Sequence, residues 1–244
     1  MEQRGVPFTN VFNFRDLGGY PTSDGHTLRW RRLFRADDLS RLSDTDQAAF
    51  AGLGIRTVVD LRRPEEIEND GRIPAFDGFT YHHAHMAHPY WPRVEFEDTA
   101  HRVRYLIERY DEMTADGAGG IAQALRLIAD PQAAPLVFHC LAGKDRTGIV
   151  AALTLSLLGV ADDVIADDFS LSEAAERSYW EYRRRSDPTI TTDRWAHITV
   201  SPREGMLGFL DGLRARHGSV AGYAASIGVT EDHVGSMRAH LLTP

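Results

Sequence analysis

The stretch from Pro135 to Leu158 constrains this chain most. A short apolar run, Pro135-Leu136-Val137-Phe138, leads through the polar, glycine-containing segment His139-Cys140-Leu141-Ala142-Gly143-Lys144-Asp145-Arg146 into a strongly apolar helical stretch from Thr147 to Leu158. A buried strand, a tight loop and a helix in that order are the building unit of α/β folds. A second apolar run, Arg56 to Arg62, carries β-branched residues between Gly54 and Pro64 and reads as a buried parallel strand. Phe79 to Ala84 is a third strand candidate, and a β-excursion is expected over Thr27 to Phe34. Ser43 reads as the N-cap of a helix from about Asp44 to Ala51, ended by Gly52 and Gly54. Phe96 to Ile128 has helical spacing interrupted around Gly117 to Gly120, and everything after Gly159 reads as helical. The expected fold is therefore one α/β domain over residues 1–244. A central, mostly parallel sheet carries helices on both faces, and the Cys140 loop sits at a strand C-terminus.

Composition narrows the alternatives. With 244 residues, 43% of them hydrophobic, the chain can bury a core without covalent staples. Its single cysteine excludes an intrachain disulfide framework and a cysteine-rich zinc site. A net charge of −8 disfavours nucleic acid and anionic membrane surfaces as partners. No apolar run is long enough to span a bilayer, and Met1 to Asn10 lacks a signal-like apolar core, so the expected address is the cytoplasm. Lys144 is the only lysine; every other strong cation is arginine.

The loop itself suggests chemistry. Amide N–H groups of a tight turn entering a helix converge on one point, and the helix dipole adds positive character there, which favours an oxyanion such as phosphate. Leu141, Ala142, Gly143 and Lys144 are the residues expected to line that cup. The same field favours a thiolate at Cys140, because thiols at helix N-termini near cations ionise well below their ordinary range. Arg146 offers a planar fork for two phosphoryl oxygens. Thr147 can bring a hydroxyl toward the sulfur and favour thiolate departure, and Gly143 and Gly148 let the backbone curl closely.

The Cys-x5-Arg loop resembles the signature of the cysteine-dependent tyrosine and dual-specificity phosphatases, and the wording Gly143-Lys144-Asp145-Arg146-Thr147-Gly148 resembles a bacterial group among them with mycobacterial and listerial members. Asn13 to Gly19, Leu33-Phe34-Arg35-Ala36, Val59-Asp60-Leu61-Arg62 with Glu65-Glu66, and Gly218-Ser219 with the final helices carry the resemblance along the chain. It implies hydrolysis of phosphomonoesters on phosphotyrosine, in some members also on phosphoserine, phosphothreonine or phosphoinositides. Cys140 is then the nucleophile and Arg146 the phosphate clamp, Lys144 and Asp145 are further loop residues, and no cofactor or metal is needed. In the resembled group, helices corresponding to about 162–217 cover the active site as a lid. Tyr179, Trp180, Tyr182 and Trp195 would suit such a lid, which would shield the thiol from oxidation.

The leaving group needs a proton donor, usually an aspartic acid. Trp91-Pro92-Arg93 has arginine where a mobile Trp-Pro-Asp loop would carry the acid, so it is set aside. Asp145, inside the loop, and Asp60, at a strand C-terminus, are the candidates, with Asp145 ahead. A buried Asp60 paired with Arg15 or Arg62 is the competing account. His139, Arg15 and Asp16 are expected to support the site, the last two as an ion pair. Two rival functions stand beside this one. Four histidines between His82 and His88 could serve a metal-dependent hydrolase, or the anion cup could bind phosphate without turnover.

Overall fold

The computed structural model describes residues 4–91, 94–186 and 201–244. Its main sheet has five strands: β1 (Arg15–Asp16), β3 (Leu33–Ala36), β4 (Thr57–Asp60), β5 (Thr80–His83) and β6 (Leu136–His139), in the spatial order β1-β3-β6-β4-β5. Only β1 runs antiparallel to its neighbour; β3, β6, β4 and β5 are parallel. Parallel neighbours require long crossovers, which the helices between them supply.

Both faces of the sheet are covered, and the alternation of side chains divides the core accordingly. Val59, Leu136 and Phe138 face one apolar cluster, together with α3 (Thr99–Asp116), α4 (Ala118–Ala129), α5 (Asp145–Leu157) and α8 (Arg203–His217). Phe34, Val58 and Val137 face a smaller one that includes Phe50 of α1 (Asp44–Ala51). There Phe50 meets Phe76 and Phe79 edge to face, with ring centroids 5.7 and 6.0 Å apart. Helix α1 begins where expected, with Ser43 and Asp46 forming a reciprocal cap. Short α2 (Pro64–Asp70) follows β4, with proline at its first turn. The remaining helices are α6 (Asp162–Ser170), α7 (Ser172–Ser186), α9 (Val220–Ser226) and α10 (Glu231–Leu241).

Two expectations need correction. The excursion over Thr27 to Phe34 is not one strand. It breaks at Arg31, whose φ is 60° and whose N–H is held by the Asp16 carboxylate at 2.7 Å. The first piece, β2 (Thr27–Leu28), leaves the main sheet and pairs with β7 (Leu242–Thr243). The chain after Gly159 is thus not wholly helical, because the edge offered by β2 recruits Leu242 and Thr243 as a strand.

The register fixes where chemistry can occur. Ala36, His139, Asp60 and His83 lie side by side as the last residues of four parallel strands. The Cys140 loop leaves the sheet from the middle of that row, the edge at which open α/β sheets place their ligands.

Candidate active site

Cys140 follows β6 directly and is a buried free thiol. The loop is shaped by what grips its carbonyls. The Leu141 oxygen accepts from the Asp38 N–H at 3.2 Å. The Ala142 and Gly143 oxygens each accept from the Asn13 amide nitrogen at 3.0 Å, and Gly143 also from Arg35 at 2.8 Å. Because a trans peptide sets C=O and the following N–H on opposite sides, three outward carbonyls turn the N–H groups of Ala142, Gly143 and Lys144 to the inside of the loop. Gly143 is required here twice over. Its φ is 65°, and a Cβ would lie 2.6 Å from the Ala36 oxygen. Helix α5 begins at Asp145, two residues earlier than the apolar pattern suggests, since the Lys144 carbonyl already accepts the Gly148 N–H at 2.6 Å. Arg146 therefore lies in the first turn of a helix whose N-terminus faces the loop.

Each charged residue of the loop has a partner. Arg146 is buried and doubly bonded to Glu66 of α2, Nη1 to Oε2 at 2.5 Å and Nη2 to Oε1 at 2.9 Å. That fork uses two of the five N–H groups of a guanidinium, so the clamp is oriented without being exhausted. Burial works against the Arg146 charge, but the Cys140 sulfur and Glu66 outweigh it and raise the pKa. For Glu66 the same burial is overcome by Arg146, and the carboxyl falls to about 2. Lys144 is buried against Glu176 of α7, with Nζ 3.0 Å from Oε1 and 3.1 Å from Oε2. Half-buried Asp145 accepts from the Tyr110 hydroxyl at 2.7 Å.

Beneath the loop lies a buried ionic network centred on Asp168 of α6. Its carboxylate takes Arg15 Nε at 2.9 Å, Arg35 Nη1 at 2.6 Å and the Tyr20 hydroxyl at 2.9 Å. Burial opposes its charge, yet Arg15 and Arg35 hold its pKa below the ordinary carboxylate range. Arg15 and Asp16 do not form the expected ion pair. They are consecutive strand residues and point to opposite faces, so Arg15 turns to Asp168 and Asn13 while Asp16 caps the Gly18 and Arg31 N–H groups.

Asp60 is fully buried, and Arg62, two residues on and so on the same side, closes on it with Nε at 3.0 Å and Nη2 at 2.7 Å. Tyr81 donates to the same carboxylate at 3.0 Å, and His139 Nε2 stands 3.6 Å away. Burial pushes its pKa up, but His139 and Arg62 prevail and leave it well below the usual range. A carboxylate so bound stays ionised, which suits an anchor and not a proton donor; of the two competing accounts, the pairing with Arg62 is the one the geometry favours. Arg62 in turn bonds Asp38 at 2.9 Å, and Asp38 holds the loop through Leu141. Burial lowers the pKa of His139, which lies under the loop and contacts the Cys140 carbonyl at 3.4 Å. The Thr147 hydroxyl is buried but has no hydrogen-bond partner among the described residues, the Cys140 sulfur included.

Other expected features separate. His83 and His85 stack with centroids 5.8 Å apart, and His83 Nε2 contacts the Arg62 carbonyl at 2.8 Å. Among the described residues no three His, Cys, Asp or Glu side chains converge as a metal site would require. Trp91 packs between Tyr105 and Tyr110, whereas Pro92, Arg93 and Trp195 lie outside the described residues. Within the segment expected to form a lid, α6 and α8 belong to the core through Ile165, Phe169, Phe209 and Leu210. Helix α7 instead rests on the site with Glu176, and with Tyr179 and Tyr182 against Phe12. Glu66 was named in the sequence only as part of a family motif, with no role, and Asp168 and Glu176 were not singled out. Asp168 had a signal, since it lies three residues after Ile165 on α6 and so shares its apolar face, where an unpaired carboxylate is costly.

Comparison with known proteins gives the same direction. Residues 6–243 match the model of the tyrosine phosphatase family. The chain is 30% identical, over 285 aligned positions, to the triple specificity protein phosphatase PtpB of Mycobacterium tuberculosis, an alignment covering 99% of this chain and all of that protein. It is 29% identical to a tyrosine-protein phosphatase of Nostoc commune, over 85% of this chain and 73% of the other.

Proposed function

Because the chain belongs to the tyrosine phosphatase family, we propose that Cys140 attacks the phosphorus of a phosphomonoester while Arg146 and the loop N–H groups of Ala142, Gly143 and Lys144 hold its oxygens. The observation that carries this reading is the pairing of an outward-bonded loop with a Glu66-oriented Arg146 beside a buried thiol. As the S–P bond forms, the P–O bond to the leaving group breaks, and Asp145 gives its proton to the departing oxygen. Water then attacks the phospho-cysteine with Asp145 taking its proton, the S–P bond breaks, and inorganic phosphate leaves with the thiolate restored. Asp145 is preferred because it is half-buried at the loop itself and Tyr110 fixes its orientation. Asp60, His139, Arg15 and Asp16 support the scaffold.

The substrate class is a phosphorylated protein, with phosphotyrosine as the first candidate. The name of the mycobacterial relative suggests activity beyond a single substrate class, which a panel of phosphotyrosyl peptides, phosphoseryl peptides and inositol lipids measures directly. A thiol that must stay reduced fits a cytoplasmic site of action. No helix among the described residues is long and apolar enough to cross a membrane. Among the described residues of the segment from 162 to 217, we assign a covering role to α7. The decisive test is rapid quenching with a phosphorus-labelled substrate. Label should be trapped on the Cys140 peptide in the parent and absent in Cys140→Ser, which retains phosphopeptide binding. A Cys140→Ser protein with parental turnover would end the proposal, and a parent that binds without releasing phosphate would establish the non-catalytic alternative.

A further inference from the structure

The two cations of the loop are matched to carboxylates in different ways. Glu66 shares a guanidinium that keeps further N–H groups for a ligand. Glu176 lies against a compact ammonium with both oxygens within 3.1 Å, and side-chain exposures of 4% and 6% leave water little part in the pair. The helix that brings Glu176 there is buried along only part of its length. Ser172, Ala175 and Glu176 are buried, but from Arg177 to Tyr182 every residue is half-buried or exposed. Asp145 on α5 adds a second negative charge near the pair and Arg102 on α3 a further positive one. An anion placed beside the cup therefore meets a neutralised lysine, although the loop sequence supplies the chain's only one.

We propose that Glu176 is a specificity-determining positioning residue. It occupies Lys144, and so favours substrates with a single phosphate at the loop. A substrate carrying a second anionic group next to the scissile phosphate gains that cation only by displacing the Glu176 carboxylate. This rests on the phosphatase reading above and adds to it the charge of the group beside the reacting phosphate.

The test uses the full chain, p-nitrophenyl phosphate as substrate, and orthophosphate and pyrophosphate as competitive inhibitors. In Glu176→Gln the pyrophosphate inhibition constant should fall about tenfold and the orthophosphate constant by less than about threefold, since only the larger anion reaches past the cup. Glu176→Ala, which leaves no amide to bond Lys144, should shift the ratio the same way, so the outcome does not depend on one variant folding. Glu176→Asp keeps the charge and should hold the ratio within about twofold of the parent. Combining Lys144→Met with Glu176→Gln should abolish the gain. An unchanged ratio in the folded neutral variants, or a shift that persists in the double variant, overturns the proposal and leaves the pair a structural anchor. Failure of the reading beneath it is seen separately, as turnover that survives Cys140→Ser.

Discussion

The anchors below the phosphate loop and the one above it use the same chemistry to opposite ends. Below, Asp168 carries two arginines and a tyrosine, and Asp60 carries one arginine and a tyrosine, all on elements locked into the core. Their cations more than offset burial, and both carboxyl groups sit below the ordinary range. Above, Glu176 faces one lysine from a helix with an open side; burial and the neighbouring Asp145 win, and its pKa is raised. A buried carboxylate with surplus cations is a rivet, whereas one with a bare match is a latch.

If that contrast is real, the largest effect belongs to Asp168→Asn. Stranding two buried guanidinium groups should cost about 3–5 kcal/mol of stability in urea unfolding. A loss under about 1 kcal/mol would show that the lower network is not the rivet. Next comes Glu66→Gln, which leaves Arg146 in place but loosely aimed. Its kcat should drop about tenfold to hundredfold with a modest change in KM, and a pure KM effect would detach Glu66 from the chemistry. Asp145→Asn should lower kcat for alkyl phosphates far more than for p-nitrophenyl phosphate. Asp60→Asn should reduce both equally, through stability; equal effects from both variants would remove the assigned acid.

The smallest effect concerns pH. Glu176 has a folded pKa above its unfolded value near 4.5, so its ionised form is penalised in the fold and the penalty vanishes as pH falls through the folded pKa. Asp168 has the opposite sign: its stabilisation is complete above its unfolded value near 3.8 and disappears only below it. As pH is lowered toward 4.5 that relief should tighten the latch, with Arg102, Lys144 and Asp145 the charged groups around it. Hydrogen exchange should show α7 gaining protection while α6, held by Asp168, keeps its own. Loss of protection in α7 over that range, or an equal change in both helices, would erase the distinction.

How much of this was readable in advance follows from the physics of each element. The β6–loop–α5 unit was legible because apolar runs of different period flank a polar turn, and α1 because its cap is spelled out in Ser43 and Asp46. The five-residue spacing between Cys140 and Arg146 exposed the loop. Glu66 stood in a family motif, but its role was hidden because acidic residues in a first helical turn are favoured on dipole grounds alone. Glu176 was hidden because nothing in a lone lysine names its partner 32 residues away. Strands β2 and β7 are two residues each, too short for a period to show.

That last pair also governs how the molecule is made. Thr27 and Thr243 are joined although 216 positions separate them, so a growing chain has to carry its early strand uncovered until Thr243 has emerged. Closure over such a span is slow relative to local helix formation. The small sheet should thus set after the main one during synthesis, and its exposed edge is the place where a stalled nascent chain is most open to capture by a chaperone.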